Sequence, residues 1–472
     1  MKFLFLLISL FPLTAYAQTQ IGGDLIGEFE GDLFGSSVAL SKDGKTVVVG
    51  SINNSEAALV GLGQIQVFQN VNDFWVQLGE DIHGTDLEEK LGRGVAISDD
   101  GRIIAAGADG FNNGIGRVLV FEFNNGSWVQ IGEDLVGVNA GGKFGNEVSL
   151  SSDGTTLGVG APSSFGNTGS AHIYQNQGGN WVQLGEDING DIDLGLFGNG
   201  MDISSDGLTI AIGGDGLFGA GALRVLKFMD GSWTPIGETI VGEESFDRIG
   251  SNVSISDDGS IVAVSALGND ANGASSGAVR VYRNLNGTWT KIGEDLTGNS
   301  FGEQFGSSLS LSSNGNIIAV GAFGADMERI FENTNDNWVE LTSINGEPDS
   351  FFGLQSHLSK DGLSIAVGAQ SFDGNGFDRG LVRVYSLGDF ITSTDDLQEN
   401  NLVLFPNPTS GILTVEMERI NQLEQIAVYN NLGQKLLSST TNIVDLSSLS
   451  DGLYYVEIAT DTDRFLETVI VD

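Results

Sequence analysis

Residues 75–81 read WVQLGED, the same seven letters return unchanged at residues 181–187, and WVQIGED stands between them at residues 128–134. All six tryptophans fall on this register, about 50 residues apart, which indicates a repeat protein. A second phrase keeps the same period. It begins FGSSVALSKDGKTVVVGS at Phe34 and occurs seven times, starting again at Leu91, Phe144, Phe197, Ile249, Phe305 and Phe352.

Each repeat predicts four short strands. The first alternates apolar and polar residues, as in VALS, and ends at an Asp-Gly or Asn-Gly, a strong signal for a hairpin turn. A continuously apolar run such as IIAVGA follows, then a third strand such as VRVY, and a short turn leads into the tryptophan strand. Four strands in about 50 residues are typical of one blade of a β-propeller.

The two ends of the repeat region predict how the ring closes. The inner three strands occur seven times, whereas the tryptophan strand occurs six times, and the last copy ends at residues 381–387 without a fourth strand. Near the N-terminus, TQIGGDLIG matches VQLGEDI without its tryptophan. We therefore predict an all-β fold with a seven-bladed propeller over residues 18–388, closed by the segment Gln18–Gly22, so that no sheet edge is left exposed.

Composition and charge narrow the classes of function. The chain has 472 residues, 69 of them Gly and 6 Pro, and 40% are apolar, which indicates a globular protein with frequent turns. Its 62 acidic and 21 basic residues give a net charge of −41, which argues against nucleic-acid and anionic-lipid partners. The absence of cysteine excludes disulfides, thiolate metal sites and cysteine nucleophiles.

The N-terminus predicts export. MKFLFLLISLFPLTAYAQ combines Lys2 with an apolar run at residues 3–13 and the small-x-small sequence AYA at residues 15–17. These features are typical of a secretory signal peptide, residues 1–17, cleaved between Ala17 and Gln18. No other apolar run reaches the length of a transmembrane helix, so we expect a soluble mature chain without a transmembrane segment.

The repeat frame resembles a known family. FGNEVSLSSDGTTLGVGAP at residues 144–162 resembles the FG-GAP repeats of integrin-type propellers, and the resemblance spans about residues 18–388. Members of that family often carry an Asp-rich calcium loop between the first two strands, where this chain has only S-x-D-G or S-x-N-G. Such a turn offers two or three ligands and calcium prefers six to eight oxygens, so the family's calcium position is not carried over.

The C-terminal segment resembles a second family. Residues 401–472, beginning NLVLFPNPTSGILTVEM, look like a type A sorting domain of the type IX secretion system of Bacteroidetes. This resemblance implies export to the cell surface or medium, with the secretion machinery as partner, although the basic patch common in the family is reduced here to Arg464. The matching residues are Pro406, Asn407, Pro408, Gly411, Gly433, Gly452, Leu453 and Tyr454.

The same segment can be interpreted without the resemblance. Its short alternating strands, separated by Gly, Asn and Ser turns, predict a small Ig-like β-sandwich over residues 401–472. The polar stretch DFITSTDDLQEN at residues 389–400 has no strand pattern and predicts a linker.

Catalytic candidates are few. The three histidines, His83, His172 and His357, share no metal-ligand spacing, and no nucleophile motif accompanies them, so each is expected to be incidental. Acids recur from blade to blade, as in GED at residues 79–81 and 185–187, and a repeated acid serves structure or solubility rather than catalysis. We therefore predict no enzyme and no catalytic residue, while an unrepeated acid/base pair for glycoside chemistry stays open.

Two sets of loops vary between repeats and are candidate binding sites. Their Asp, Asn and Gly content suits calcium, with Asp191 and Asp193 in DIDLG and Asp373 and Asp378 in DGNGFD as candidate ligands. The alternative is ordinary solvated loops, which have a similar composition. The aromatic side chains of Phe301, Phe351 and Phe352 are expected in the core rather than in a sugar-binding platform.

Three functions remain open from the sequence. The leading hypothesis is a secreted or cell-surface binding or adhesion protein that recognises a glycan or another protein. The alternatives are an extracellular hydrolase or lyase acting on polysaccharide or peptide, and a matrix component that self-associates with divalent cations. Acids contributed unequally by the blades would favour an enzyme, whereas acids repeated around the ring would favour binding.

Overall fold

The computed structural model contains two compact units, residues Met1–Thr392 and Ser393–Asp472. It describes residues 19–55, 61–191, 195–216, 219–374 and 376–388 of the first unit. Of the second unit it describes residues 403–405, 409, 411–416, 423–430, 435–450, 452–460 and 464–471. The predicted cleavage site at Ala17 and Gln18 and the predicted linker lie outside these residues.

Seven antiparallel sheets, numbered here 1 to 7 in chain order, make up the described part of the first unit. Each contains four main strands, which form a meander in sheets 1 to 6, and in every sheet except sheet 6 an additional two-residue strand pairs with the third strand. Sheet 1 comprises Phe34–Leu40, Thr46–Ser51, Gln64–Val71, Phe74–Gln77 and Ile82–His83. Sheet 2 comprises Leu91–Ile97, Ile103–Ala108, Arg117–Asn124, Ser127–Gln130 and Leu135–Val136. Sheet 3 comprises Glu147–Leu150, Thr156–Ala161, Ser170–Asn176, Trp181–Gln183 and Ile188–Asn189. Sheet 4 comprises Gly200–Ile203, Thr209–Gly214, Ala222–Met229, Ser232–Pro235 and Ile240–Val241. Sheet 5 comprises Ile249–Ile255, Ile261–Ala266, Ala278–Leu285, Thr288–Lys291 and Leu296–Thr297. Sheet 6 comprises Phe305–Leu311, Ile317–Ala322, Met327–Thr334 and Asn337–Asn345.

Sheet 7 joins the two ends of the repeat region. Its strands Gln355–Leu358, Ser364–Ala369 and Leu381–Ser386 come from the last repeat, and its outermost strand, Thr19–Gln20, comes from the N-terminal segment. Thr19 lies opposite Ser386 and Gln20 opposite Tyr385, and the strand Leu25–Ile26 pairs with the same third strand.

The residue pair that opens each repeat connects neighbouring sheets. Phe34 is buried and packs with Val382 and Val384 of sheet 7. The following Gly35 has φ of +84°, and a Cβ there would lie 2.7 Å from the carbonyl oxygen of Leu381. A large apolar side chain therefore fills the space between two sheets, while glycine allows the backbones to approach. The same apolar position is buried in all seven sheets, at Phe34, Leu91, Phe144, Phe197, Ile249, Phe305 and Phe352.

The tryptophan in WVQLGED makes a second connection between sheets. The indole Nε1 of Trp128 donates to the carbonyl oxygen of Leu78 in the preceding sheet, at 2.7 Å. The next residue, Gly79, has φ of +81°, and a Cβ there would lie 2.7 Å from Cδ1 of Trp128. All six tryptophans donate in this way, to the carbonyl oxygens of Ile21, Leu78, Ile131, Leu184, Ile236 and Ile292.

The aspartate of the phrase fixes the end of the fourth strand. Asp134 accepts hydrogen bonds from Gln130 Nε2 at 2.9 Å and from Arg117 of the third strand at 2.6 Å. Sheet 6 departs from the phrase, because Thr342 stands where glycine is expected and one strand runs unbroken over Asn337–Asn345. In the aligned sequence of the next fourth strand, which the N-terminal segment supplies to sheet 7, Gln18 takes the place of tryptophan. No indole therefore needs a glycine at position 342 of sheet 6.

The second unit contains two sheets in its described residues. One comprises Val403–Phe405, Ile412–Glu416 and Ile443–Asp445, and the other Leu423–Tyr429, Lys435–Ser439, Gly452–Thr460 and Arg464–Val471. Buried side chains of both sheets share one apolar core, including Leu413 and Val444 of the first and Val428 and Val456 of the second.

Helical structure is short. It is confined to the turns Phe111–Gly114 and Ser164–Asn167 and a 3-10 turn at Phe323–Ala325 within the described chain. Among the described residues, no helix has the length and apolar character that crossing a membrane requires.

Candidate functional site

Both sets of variable loops lie at one end of the seven sheets. Phe34, which begins a first strand, pairs with Ser51, which ends the second strand, and Ser51 pairs with Gln64, which begins the third. The loops that lead into the first strands are called entry loops here. Because the strands are antiparallel, the entry loops and the loops that join second to third strands lie at this same end. We call it the loop face.

Buried acids hold several of the entry loops in shape. Glu89 is fully buried, and its Oε2 accepts the backbone N–H groups of Thr85 at 2.6 Å and Asp86 at 2.8 Å. Its Oε1 accepts Nε of Arg117 at 2.7 Å. Equivalent buried acids accept backbone N–H groups in other entry loops, namely Asp32, Asp247 and Glu303. These hydrogen bonds stabilise the entry loops.

Exposed aromatic side chains are concentrated on the loop face. Phe301 is 79% exposed and Phe351 40%, so the prediction that they belong to the core was wrong; Phe352 is fully buried, as predicted. Phe351 packs edge-on against Phe323, with ring centroids 5.4 Å apart, and remains partly open to solvent. Six of the seven entry loops present an exposed apolar side chain among the described residues, at Phe29, Leu87, Val138, Phe246, Phe301 and Phe351, and two neighbouring loops add Phe165 and Phe377.

The proposed calcium ligands do not form a cluster in the described chain. Asp191 pairs with the guanidinium of Arg224, and Asp193 lies outside the described residues. Oδ1 of Asp373 accepts the backbone N–H of Asp378 at 3.1 Å, which shapes their loop. No group of three or more His, Cys, Asp or Glu able to hold a metal is found in this part of the chain, and calcium binding stays a prediction.

A polar cavity of about 220 Å³ is lined by the first strands of all seven sheets. We call it the axial cavity. The seven copies of the first strand act as an internal comparison, because residues needed for the repeat recur and others differ. The fourth position of the strand reads Ser37, Gly94, Glu147, Gly200, Asn252, Ser308 and Gln355, and the sixth reads Ala39, Ala96, Ser149, Asp202, Ser254, Ser310 and His357.

This asymmetry is the functional signal that sequence reasoning missed. Aligning the seven copies of the first strand was possible, but only the structure shows that the fourth positions all line one cavity and that six of the sixth positions do so. Glu147, Asp202 and His357 each occur in one sheet only at these positions. The acids recognised in the sequence were the repeated ones, and those fix strands and loops.

The sixth position also links the sheets. Because the first strand has a free edge, its N–H groups need acceptors, and the preceding sheet supplies them. Asp202 Oδ2 accepts the N–H of Ile255 at 2.9 Å and Oγ–H of Ser254 at 3.1 Å, while its Oδ1 accepts Ile203 N–H and Ser149 Oγ–H. Both carboxylate oxygens are therefore occupied by protein donors.

A ring of backbone hydrogen bonds spans the end of the axial cavity opposite the loop face. Residues of the S-x-D-G turns donate in sequence from each sheet to the next, and Asp361 N–H closes the ring onto the carbonyl of Lys42 at 3.2 Å. Lys42 lies 3.7 Å from Asp99, and Lys360 lies 3.5 Å from Asp257. The other members of the ring are Ser152, Ser205 and Ser313.

Two titratable groups in the axial cavity have strongly shifted pKa values. Burial raises the pKa of Glu147 to about 8, opposed by Arg93 and aided by Asp202. Burial lowers the pKa of His357 to about 4, and its Nδ1 accepts the N–H of Leu40 at 3.1 Å. At neutral pH both side chains are therefore uncharged, with Nε2 carrying the proton of His357.

Burial alone would lower the pKa of Lys360, but the carboxylates of Asp202, Asp257 and Asp99 raise it above its ordinary value. Lys360 is thus cationic at neutral pH. Side chains of Glu147 and Gln355 have no hydrogen-bond partner among the described residues, although both border the axial cavity.

His172 lies in a hydrogen-bonded chain that resembles a catalytic triad. Its Nε2 is 3.0 Å from Oγ of Ser170, and its Nδ1 is 2.8 Å from Oδ1 of Asp187. Ser170, however, is fully buried and out of reach of a substrate. In sheet 5, Arg280 occupies the same position and pairs with the equivalent aspartate, so His172 replaces an arginine in a repeated structural contact.

The sorting-motif residues are only partly described. Pro406, Asn407, Pro408 and Gly433 lie outside the described residues. The carbonyl of Gly411 accepts the N–H of Leu446 at 2.7 Å, and the hydroxyl of Tyr454 donates to the carbonyl of Ser450 at 2.8 Å. Gly452 begins the strand that contains Tyr454. These contacts support the local fold of the tail.

Residues 403–472 match the family model of the secretion system C-terminal sorting domain. This match supports a secreted protein sorted by the type IX secretion system, as the resemblance predicted, and implies contact with that machinery and export or attachment to the cell surface. No curated protein matches the chain in sequence.

Solved structures resemble the first unit in fold. The Cps50 (Swd1) β-propeller domain of Myceliophteria thermophila superposes with a TM-score of 0.53 at 10% identity, covering 77% of this chain and 100% of that one. U3-55K gives 0.51 at 13% identity, covering 79% and 99%. The periplasmic gluconolactonase PpgL of Pseudomonas aeruginosa gives 0.46 at 16% identity, covering 66% and 85%, and carries no argument about activity. The first two likenesses show an all-β, propeller-like fold.

Proposed function

We propose that this protein is a secreted binding or adhesion protein that recognises an extracellular glycan or protein with its loop face. The main observation in support is that six entry loops each present one exposed apolar side chain on the same face. Large apolar side chains left in water on one face indicate a surface that is covered in use. Aromatic side chains among them suit both sugar rings and protein partners.

We further propose that the seven sheets form a seven-bladed propeller closed by the N-terminal segment, and that the tail is a small β-sandwich. The pairing of Thr19–Gln20 with Leu381–Ser386 and the ring of backbone hydrogen bonds support the first proposal. The apolar core shared by two sheets supports the second. The FG-GAP resemblance accords with the buried apolar-Gly pair at each sheet boundary.

Binding is favoured over the hydrolase alternative by the occupation of Asp202. Glycoside hydrolysis needs a second free carboxylate beside the acid. Glu147 has the raised pKa of a general acid, but both oxygens of Asp202 accept hydrogen bonds from four protein donors. The unequal acids of the axial cavity would by themselves favour an enzyme, but the occupation of Asp202 leaves Glu147 without a free carboxylate partner and therefore favours recognition of a small ligand over cleavage.

The test is binding of the mature chain to a polysaccharide array and to extracellular matrix proteins, each in calcium and in chelator. We compare the wild type with Phe301→Ser, and use Phe74→Ser as a control, because Phe74 is equally exposed but lies on an outer strand. Loss of binding in Phe301→Ser alone supports the loop face. Equal loss in both variants, or release of sugar or peptide products, would contradict the proposal.

The chelator arm tests calcium, with Asp373 and Asp378 as the candidates, because Asp191 pairs with Arg224 and Asp193 lies outside the described residues. Calcium-dependent binding that Asp373→Asn abolishes supports a metal-assisted loop face. Calcium-dependent self-association without any ligand would support the matrix alternative, which sedimentation velocity in both buffers distinguishes.

A further inference from the structure

The axial cavity is a second candidate site, separate from the loop face. It is enclosed by the first strands, and its lining residues are fixed by the strand pairing that forms the sheets. A site built on strands holds its groups more rigidly than a site built on loops. The unequal contribution of the seven repeats shows that this lining is not explained by the repeat itself.

The charges that line the axial cavity balance. Arg93 lies near the end that opens towards the loop face, and Lys360 at the opposite end, while Asp99 and Asp202 supply two carboxylates. Glu147 and His357 add hydrogen-bonding groups without charge at neutral pH. A strongly charged ligand would gain no net attraction here and would lose its hydration.

The remaining lining groups suit hydroxyls. Amide side chains border the cavity in three consecutive sheets and in sheet 7, and serine hydroxyls lie below them. Asn252, Ser149 and Ser254 already donate hydrogen bonds within the protein, whereas the amide of Gln355 makes none among the described residues. The full set is Asn146, Asn199, Asn252, Gln355, Ser149, Ser254 and Ser310. Hydroxyl groups both donate and accept, so they can pair with every kind of group in this set. Val148, Val253 and Leu309 provide apolar contacts for the carbon skeleton of a ligand.

We propose that the axial cavity binds one uncharged polyhydroxylated unit, such as a neutral monosaccharide or the terminal sugar of a glycan. The side chains of Glu147 and Gln355 contact its hydroxyls, since both border the cavity and neither makes a hydrogen bond within the described chain. The inference goes beyond the loop face, because it assigns a separate site with a narrower chemical class.

The test is titration of the mature chain with glucose, galactose, mannose and N-acetylglucosamine by saturation-transfer NMR, with glucuronate and glucosamine as charged probes. We expect saturable binding of at least one neutral sugar and at least tenfold weaker binding of its charged analogues. Gln355→Leu, which removes the amide at similar volume, should weaken binding about tenfold, as loss of one or two hydrogen bonds predicts. Glu147→Gln, which keeps an uncharged hydrogen-bonding group, should stay within about threefold.

Two further variants separate this site from the loop face. Ala96→Leu adds volume on the side of the cavity where the sixth position carries no polar group, and should abolish sugar binding. Phe301→Ser should remove binding at the loop face and leave the monosaccharide affinity unchanged. No saturable binding of any neutral sugar, equal binding of the charged probes, or loss of monosaccharide binding in Phe301→Ser would each overturn the proposal. Circular dichroism confirms that every variant is folded.

Discussion

Replacing Glu147 with glutamine is expected to stabilise the folded protein at neutral and alkaline pH. Burial raises the pKa of this carboxyl from 4.5 to about 8. Since one pKa unit corresponds to about 1.4 kcal/mol, ionising Glu147 in the folded protein costs at most about 5 kcal/mol. The carboxyl borders a cavity that water can enter, so we expect about 2 to 4 kcal/mol.

The sign follows from proton linkage. A carboxyl whose pKa is higher in the folded than in the unfolded protein binds its proton more tightly when folded. Its contribution to stability is therefore complete below about pH 4.5 and is lost as the pH rises through about 8. Glutamine cannot ionise, so the free energy of unfolding of the variant should equal that of the wild type near pH 4.5 and exceed it increasingly up to pH 9.

The assay is urea unfolding of both proteins at pH 4.5, 6, 7.5 and 9, followed by tryptophan fluorescence, since all six tryptophans lie in the repeat region. Glu122→Gln is the matched control, because Glu122 is exposed on a third strand and its replacement should change stability little at any pH. If Glu147→Gln showed the same small, pH-independent difference as the control, Glu147 would not be an uncharged group of the axial cavity at neutral pH.

Three further predictions concern the ring and the tail. Gly79→Ala should lower stability by about 2 to 4 kcal/mol, whereas Gly126→Ala, which also has positive φ but open space around its Cβ, should lower it by about 1 kcal/mol; equal losses would show that contact with Trp128 does not matter. Asp24→Ala should lower the free energy of unfolding at pH 7 by up to about 1 kcal/mol, because hydrogen bonds from Arg383 lower the pKa of Asp24 while the partly exposed pair is screened by solvent; the difference should shrink as the pH falls below the ordinary value of 3.8, and a difference independent of pH would contradict the pairing. Deletion of residues 401–472 should retain the protein in the periplasm of its producing cell, as fractionation and immunoblotting detect, and normal release of the truncated chain would exclude a sorting role.

Much of the fold could be predicted from the sequence because every repeat makes the same contacts. The phrase WVQLGED recurs since each sheet needs an indole donor, a glycine that admits the next indole, and an aspartate that pairs with the third strand. The turn signals and strand alternation predicted all-β structure with a propeller-like arrangement, which the solved structures share. The tail was predicted from its motif order and matches the sorting family.

The candidate sites were harder to predict from the sequence, because the exposure and the hydrogen-bond partners of a side chain depend on residues distant in the chain. Phe351 and Phe352 are neighbours in the chain, yet one projects from the loop face and the other fills the space between two sheets. His172 and His357 looked equally incidental, but one replaces a repeated arginine and the other borders the axial cavity. Local pattern does not distinguish these cases.

The sequence by itself determined the repeat, the strand order and the sorting tail, because those depend on spacing and on residue types that every copy must keep. Only the tertiary structure decided which unrepeated side chains meet. Glu147 and His357 are 210 positions apart in the chain, and they border the same cavity only because the last sheet packs against the first. The packing of the last sheet against the first brings the differing residues of seven similar strands around one cavity.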